Sequence, residues 1–301
     1  MTKKYYRVAG LDFGVELQDS ADFEDRLGAY QPFEISESVS LLFMLSILKE
    51  DVDNCGYNEK WHLLINEEMM DFDVRLYVDN ESIYHYITRI KNNPDNWSCL
   101  DFTSNMMPLA YRQRGRARFK QIALNSTLKL MFALCTATKD TMLFHSSVIK
   151  NGGKGYMFLG KSGTGKSTHA QLWLEHISGS ELLNDDNPVV RFIDGTPWVF
   201  GTPWSGKTPC YKNEAVPVGG IVRLWQAPVN EIKRLDTLQA YAALLPTILN
   251  MKWERQLADG MNASIYKLIT SVPIFSLRNR PEKAAAMMSF KALTQNEGRS
   301  E

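Results

Sequence analysis

The chain carries no excess of charge of either sign. Its 34 lysines and arginines balance 34 aspartates and glutamates, which argues against a global pull towards nucleic acid or an anionic membrane. Cysteine is scarce: Cys55, Cys99, Cys135 and Cys210 are far apart and form no C-x-x-C pair. They read as reduced, buried thiols of a cytoplasmic protein. Long apolar runs are missing too. The most hydrophobic stretch, residues 39–48, is far too short to span a bilayer and reads as a buried helix. Met1-Thr2-Lys3-Lys4 leads into Tyr5-Tyr6-Arg7 rather than a continuous apolar stretch, so no secretory leader is expected. There is no internal repeat and no low-complexity segment. What remains is an ordinary apolar fraction, 44% of 301 residues, enough for one large or two ordinary domains with a sizeable core.

Against this background one segment stands out. Gly160-Lys161-Ser162-Gly163-Thr164-Gly165-Lys166-Ser167 is a complete phosphate-binding loop of the form G-x-x-x-x-G-K-[ST]. Tyr156-Met157-Phe158-Leu159 leads into it as a strand, and Thr168-His169-Ala170-Gln171-Leu172-Trp173 leads out as a helix. Glycines let successive backbone N–H groups turn inward around phosphate oxygens, and the helix adds its positive dipole end. Lys166 is placed to reach the β- and γ-phosphates and the Ser167 hydroxyl to ligate Mg²⁺. Thr168 follows directly in the first helical turn.

The rest of the chain organises around that loop. Residues 5–11, 61–65 and 74–78 are predicted as strands, and residues 36–49 as a helix capped by Ser36. Asn92-Asn93-Pro94-Asp95-Asn96 is a loop of turn formers. A domain boundary is expected between about residues 95 and 112, giving an N-terminal α+β domain (1–110) and a second domain (111–301). Residues 119–137 have helical apolar spacing. Residues 142–149 and 156–159 read as a hairpin turned at Gly152-Gly153. Strands are expected at 181–183, 189–192, 198–200, 220–224 and 274–277, and helices at 238–249, 253–269 and 281–293.

Asp185-Asp186 lies 18 and 19 residues after Ser167, at the end of the strand that follows the loop helix. Ligands gather at such strand ends in α/β sheets. Phosphoryl transfer needs a carboxylate for Mg²⁺ and often a second to take the acceptor's proton. Adjacent residues can divide these tasks, although Asn-Asp-Asp-Asn-Pro is equally a turn-rich strand ending. His145 lies 15 residues before Gly160. If its strand is antiparallel to the one feeding the loop, it sits at the end near the phosphates, where a histidine can polarise an oxygen or steer a proton.

Phe144-His145-Ser146-Ser147-Val148-Ile149, the loop at 160–167 and Asn184-Asp185-Asp186-Asn187-Pro188 together resemble HPr kinase/phosphorylase and, more distantly, ATP-dependent phosphoenolpyruvate carboxykinase. The resemblance covers roughly residues 140–290. It implies an α/β fold with a C-terminal P-loop kinase core built on a mixed sheet, beside a smaller α+β N-terminal domain. It implies ATP and Mg²⁺ as cofactors, with Lys166 and Ser167 on phosphate and metal. One of Asp185 and Asp186 would be metal ligand (Asp185 is the one assigned) and the other general base, and His145 would support the transferring phosphate. Thr168 and His169 stand where that family commonly has an acidic residue. The acceptor is open: a hydroxyl on a small molecule, peptide or protein.

Three further features complete the reading. Lys207 or Lys212, within the loop at 201–213, could neutralise charge on the γ-phosphate, and Trp204 could stack on a base or an acceptor. Arg112, Arg114, Arg116, Arg118 and Lys120 alternate along one segment, either as a solvated linker face or as an anion site, for an acidic partner or for phosphate supplied between subunits of a homo-oligomer. The rival functions are a carboxykinase-like enzyme acting on an enolate and a non-catalytic ATP sensor.

Overall fold

A computed structural model describes residues 2–17, 26–48, 57–68, 72–206, 208–249 and 253–295. The chain separates into two compact units, Met1–Cys135 and Thr136–Glu301. The division falls later than the sequence predicts. The helix beyond the expected boundary, α1 (Ala117–Thr136), belongs to the first unit, where Phe132 packs edge-on against Phe13.

Among the described residues the first unit holds two sheets. One runs β3-β1-β2-β4, from β1 (Thr2–Val8), β2 (Leu11–Leu17), β3 (Glu34–Ile35) and β4 (Leu41–Ser46). The strand predicted over 5–11 ends at Val8 because Ala9 and Gly10 both adopt positive φ, the left-handed pair that a two-residue hairpin requires. The helix predicted over 36–49 is instead strand β4 between residues 41 and 46. Phe43 and Leu45 are buried on alternate positions, a period of two that a short apolar run does not distinguish from a buried helix; Lys49 lies outside the described residues. The second sheet is an antiparallel meander of β5 (His62–Glu68), β6 (Phe72–Val78), β7 (Tyr84–Ile90), β8 (Asn93–Phe102) and β9 (Pro108–Arg114). The loop expected at 92–96 is a tighter turn, with Ile90 already opposite Asn93 and Asn92 at positive φ.

The second unit is a mixed nine-stranded sheet with helices on both faces. Its strands are β10 (Thr141–Leu143), β11 (Ser146–Asn151), β12 (Lys154–Leu159), β13 (Glu181–Asp186), β14 (Val189–Ile193), β15 (Thr196–Phe200), β16 (Ala215–Gln226), β17 (Glu231–Arg234) and β18 (Ile274–Asn279). The order β10-β14-β15-β16-β12-β11-β13 branches at the long β16, whose distal half also pairs with β18. β11 and β12 form the expected hairpin, and β12 runs parallel to β16. Alternation along β12 feeds two cores. Met157 and Leu159 face α3 (Thr237–Leu244) and α4 (Arg255–Ser271), meeting Leu244, Ile265 and Leu268. Tyr156 and Phe158 face α2 (Lys166–His176) and α5 (Lys283–Thr294), meeting Trp173, Ala286 and Leu293.

A buried polar knot ties α2 to α5. The Ser289 hydroxyl donates to Ala286 O (2.9 Å), and the Trp173 indole N–H donates to Ser289 Oγ (2.9 Å). His169 Nε2 is 2.9 Å from the same oxygen, and its Nδ1 has no partner. Since the hydroxyl proton is already used, Nε2–H donates, and the buried, partnerless Nδ1 favours the neutral ring over the imidazolium. Burial pushes the His169 pKa down from 6.5 to about 4. Because the folded-state value lies below the unfolded one, this contribution is complete above pH 6.5 and is lost as the pH falls from 6.5 towards 4. It amounts to on the order of 3 kcal/mol. Denaturant melts are predicted to show stability falling across that window, and His169→Gln, which can still donate to Ser289, to flatten the fall. An unchanged slope in the variant would rule this origin out.

Candidate phosphate-binding site

The glycine-rich segment sits between β12 and α2, as the sequence predicts. Gly163 and Gly165 take positive φ, and Gly165 is the N-cap of α2. The loop closes on itself: the Thr164 N–H donates to Lys161 O (3.1 Å), and its hydroxyl donates to the same oxygen. Gly163 O accepts from Gln226 Nε2 (3.1 Å) at the end of β16. Ser162, Gly163, Gly165, Lys166, Ser167 and Thr168 line one wall of a cavity of about 740 Å³. Gly160 is buried behind this wall, Lys161 is exposed, and Thr164 lines a neighbouring cavity.

Pairing of β11 with both β12 and β13 supplies the opposite wall. Ser146 lies opposite Leu159 on one side and opposite Asp186 on the other. His145, Gly160 and Asp186 are therefore gathered at one sheet end. A bulge in β13 sets which carboxylate faces the loop. At the start of that strand Ile149 pairs with Leu182, but beyond Leu183 the register advances by one, so Ser147 meets Asp185. Without the extra residue Asn184 would stand there and Asp185 would turn to the other face. As built, Asp185 Oδ1 accepts from Ser147 Oγ (2.5 Å) and from Ser167 Oγ (2.9 Å).

Asp186 is set differently. Its φ is +148°, a strained value for a residue with a side chain. Its backbone is pinned by a bridge to Ser205 and by the neighbouring Gly206 N–H donated to Asp185 O. A Cβ on Gly206 would stand 2.9 Å from that oxygen, so only glycine permits the approach. The carboxylate meets His145 Nδ1 through Oδ1 (2.9 Å) and accepts from Asn187 Nδ2 through Oδ2 (2.6 Å). His145 Nε2 lies 2.9 Å from Lys166 Nζ. An ammonium can only donate, so Nε2 accepts and Nδ1 carries the proton towards Asp186. The three side chains form one chain, Lys166–His145–Asp186. Lys166 also donates to Gly160 O (3.2 Å) and Lys161 O (3.4 Å). Its pKa is pulled down, first by burial and further by the nearby Arg223 guanidinium, against the opposing pull of Asp186 and Asp185.

Ser167 Oγ and Asp185 Oδ1 are two hard oxygen donors facing the cavity. That suits Mg²⁺, which takes one or two protein oxygens and completes its shell with water and phosphate. No cluster of three acidic, histidine or cysteine side chains fit for a metal occurs among the described residues.

Several expectations change. Trp204 is 1% exposed and packs in the interior, so it offers no face to a ligand. Lys212 pairs with Glu181 (3.6 Å) at the start of β13, remote from the carboxylates at its end. Lys207 lies outside the described residues. The basic run is split between β9 and α1, and Arg112 is held by Asp101 at 2.6 Å. The sequence reading missed Ser147, which becomes visible only once β11 and β13, strands not consecutive in the chain, are known to pair. It also missed Arg223, a buried cation whose Nη1 donates to Ala243 O (2.7 Å) and whose guanidinium lies 5.2 Å from the Trp225 ring centre. No helix among the described residues is long and apolar enough to cross a membrane.

A Cβ on Gly160 would collide with the Thr164 hydroxyl and stand 3.1 Å from Thr164 Cβ. Gly160→Ala is predicted to destabilise the second unit by about 1–3 kcal/mol, read as a lowered melting midpoint, with partial recovery in Gly160→Ala/Thr164→Ala. Equal loss in the single and double variants would exclude the Thr164 clash as the cause.

No protein-family model matches the chain, and no curated protein matches it in sequence. Among solved structures it is similar to an HPr(Ser) kinase/phosphatase from Coxiella burnetii, at 12% identity, covering 51% of this chain and 88% of that one, with a TM-score of 0.31. This is a weak fold relationship, and the functional reading rests on the site itself.

Proposed function

We propose that this chain is an ATP- and Mg²⁺-dependent phosphotransferase that moves the γ-phosphoryl group to a hydroxyl on a small molecule, peptide or protein. One observation carries the reading: Lys166, Ser167, Asp185, Asp186 and His145 converge on one cavity at the mouth of a glycine-rich, helix-capping loop.

In this reading the backbone N–H groups of residues 163–167 and the dipole of α2 hold the phosphates. Lys166 exchanges the carbonyls of Gly160 and Lys161 for phosphate oxygens. Mg²⁺, when bound, neutralises charge on the phosphate oxygens, and Ser167 Oγ and Asp185 are the groups placed to hold it. Asp185, already committed to two hydroxyls, suits the metal role. Asp186, open to the cavity, suits the base. It takes the acceptor's hydroxyl proton as the acceptor oxygen bonds to the γ-phosphorus, while the bond from that phosphorus to the bridging oxygen breaks and ADP leaves. His145 orients Asp186 through Nδ1, and its Nε2, freed when Lys166 moves, faces the transferring group.

The test is transfer from γ-labelled ATP with Mg²⁺, using a cell extract as acceptor source. Label is predicted in a discrete acceptor, and none with Lys166→Ala. Asp186→Asn is predicted to spare ATP binding and to lower transfer by on the order of 100-fold or more. Full turnover in both variants would contradict the mechanism. Measurable ATP binding with label confined to ATP or to slowly released orthophosphate would favour a nucleotide sensor.

A further inference from the structure

Four hydroxyl side chains line the cavity at the glycine-rich loop: Ser162, Ser167, Thr168 and Thr208. The first three belong to the loop and the first turn of α2, the wall assigned to the donor phosphates. Ser167 is committed to Asp185. Thr208 comes from the other wall, in the segment that also brings Gly206 against the two carboxylates.

This segment is tied down on both sides of Thr208. Upstream, Ser205 bridges Asp186, and the Gly206 N–H donates to Asp185 O (2.5 Å). A Cβ on Gly206 would stand 3.1 Å from Asp186 Cβ, so the chain passes that carboxylate at contact distance two residues before Thr208. Ser205 Oγ donates to Thr208 O (2.6 Å), which closes a tight turn and engages the Ser205 hydroxyl. Downstream, the buried Cys210 Sγ donates to Leu183 O (3.4 Å) on β13. Pro209 restricts the backbone of Thr208 to extended conformations. Thr208 itself is exposed, and among the described residues its hydroxyl has no hydrogen-bond partner. The turn thus presents a free hydroxyl, on a fixed backbone, to the cavity that holds Asp186 and Lys166.

We infer that Thr208 is itself an acceptor, so that the chain phosphorylates its own Thr208 hydroxyl in cis. The inference rests on the phosphotransferase reading and names one acceptor for it. The Thr208 oxygen bonds to the γ-phosphorus while its proton passes to Asp186, the bond from that phosphorus to the bridging oxygen breaks, and ADP leaves. The phosphothreonine formed carries about −1.5 to −2 charges at neutral pH. Standing beside two carboxylates, it repels the next triphosphate, so the modification limits itself and lowers the affinity of the site for its donor.

The full chain is incubated with Mg²⁺ and γ-labelled ATP with no other acceptor, then analysed by intact mass and peptide mapping. A single phosphoryl group is expected on Thr208, formed at a rate per molecule that is independent of protein concentration. Thr208→Ser, which keeps the hydroxyl, is expected to take up label; Thr208→Val and Lys166→Ala are not. A binding measurement is independent of turnover: by calorimetry, Thr208→Glu is expected to weaken ATP about 10-fold or more and Thr208→Gln by no more than about 2-fold. Label on another residue, a rate per molecule that rises with protein concentration, or unchanged ATP affinity in Thr208→Glu would overturn the inference. So would an unlabelled wild-type chain that still transfers label to a component of a cell extract, and the phosphotransferase reading would then stand. A wild-type chain that labels neither itself nor any extract component would overturn both.

Discussion

Strand β11 is hydrogen-bonded along both edges, to β12 on one side and β13 on the other, and the candidate site depends on that double pairing. The register with β12 places His145 beside the first glycine of the loop. The register with β13 places the two aspartates across from it. Side chains alternate with a period of two, so a slip of one residue on either edge would send the relevant groups to the opposite face. The bulge at Leu183 is part of this specification, because it turns Asp185 rather than Asn184 towards Ser147 and Ser167. Both faces of the sheet are covered by helices, so the registers are fixed by burial as well as by hydrogen bonds. Val148 and Met157 lie in one core, and Ile149 and Phe158 in the other.

The site itself is arranged against local stability. Lys166 is buried enough to depress its pKa, with a second buried cation, Arg223, nearby. Asp186 adopts a backbone conformation that few residues with a Cβ occupy. Such features persist where the surrounding structure over-determines them. Here the scaffold includes the Asp186–Ser205 bridge, the approach of Gly206 and the Arg223 hydrogen bond to the last turn of α3. A polyanion would relieve the Lys166–Arg223 repulsion, which gives a physical reason for setting two buried cations near each other.

Much of the second unit was legible in the sequence because its signals are local. The glycine-rich segment is eight consecutive residues with a strand before and a helix after. Gly152-Gly153 marks a hairpin, and β11 and β12 pair antiparallel across it. His145 was placed from the antiparallel hairpin alone, and the structure brings it to Lys166. The first unit was harder to read. Residues 41–45 are an unbroken apolar run, and both a buried strand and a buried helix fit such a run. The strands β7, β8 and β9 carry polar residues such as Thr88, Asp101 and Gln113 that mask their alternation. The placements of Ser147 and Arg223 depend on which strands become neighbours, and Trp204 turns inward although it lies in a loop.

The most direct test of the account is a crystal structure of the full chain with a non-hydrolysable ATP analogue and Mg²⁺. The account predicts phosphates enclosed by the N–H groups of residues 163–167, with Lys166 Nζ moved from Gly160 O to a phosphate oxygen. It also predicts Ser167 Oγ and Asp185 beside the metal. An analogue bound elsewhere, with Lys166 still on its loop carbonyls and His145, would contradict it.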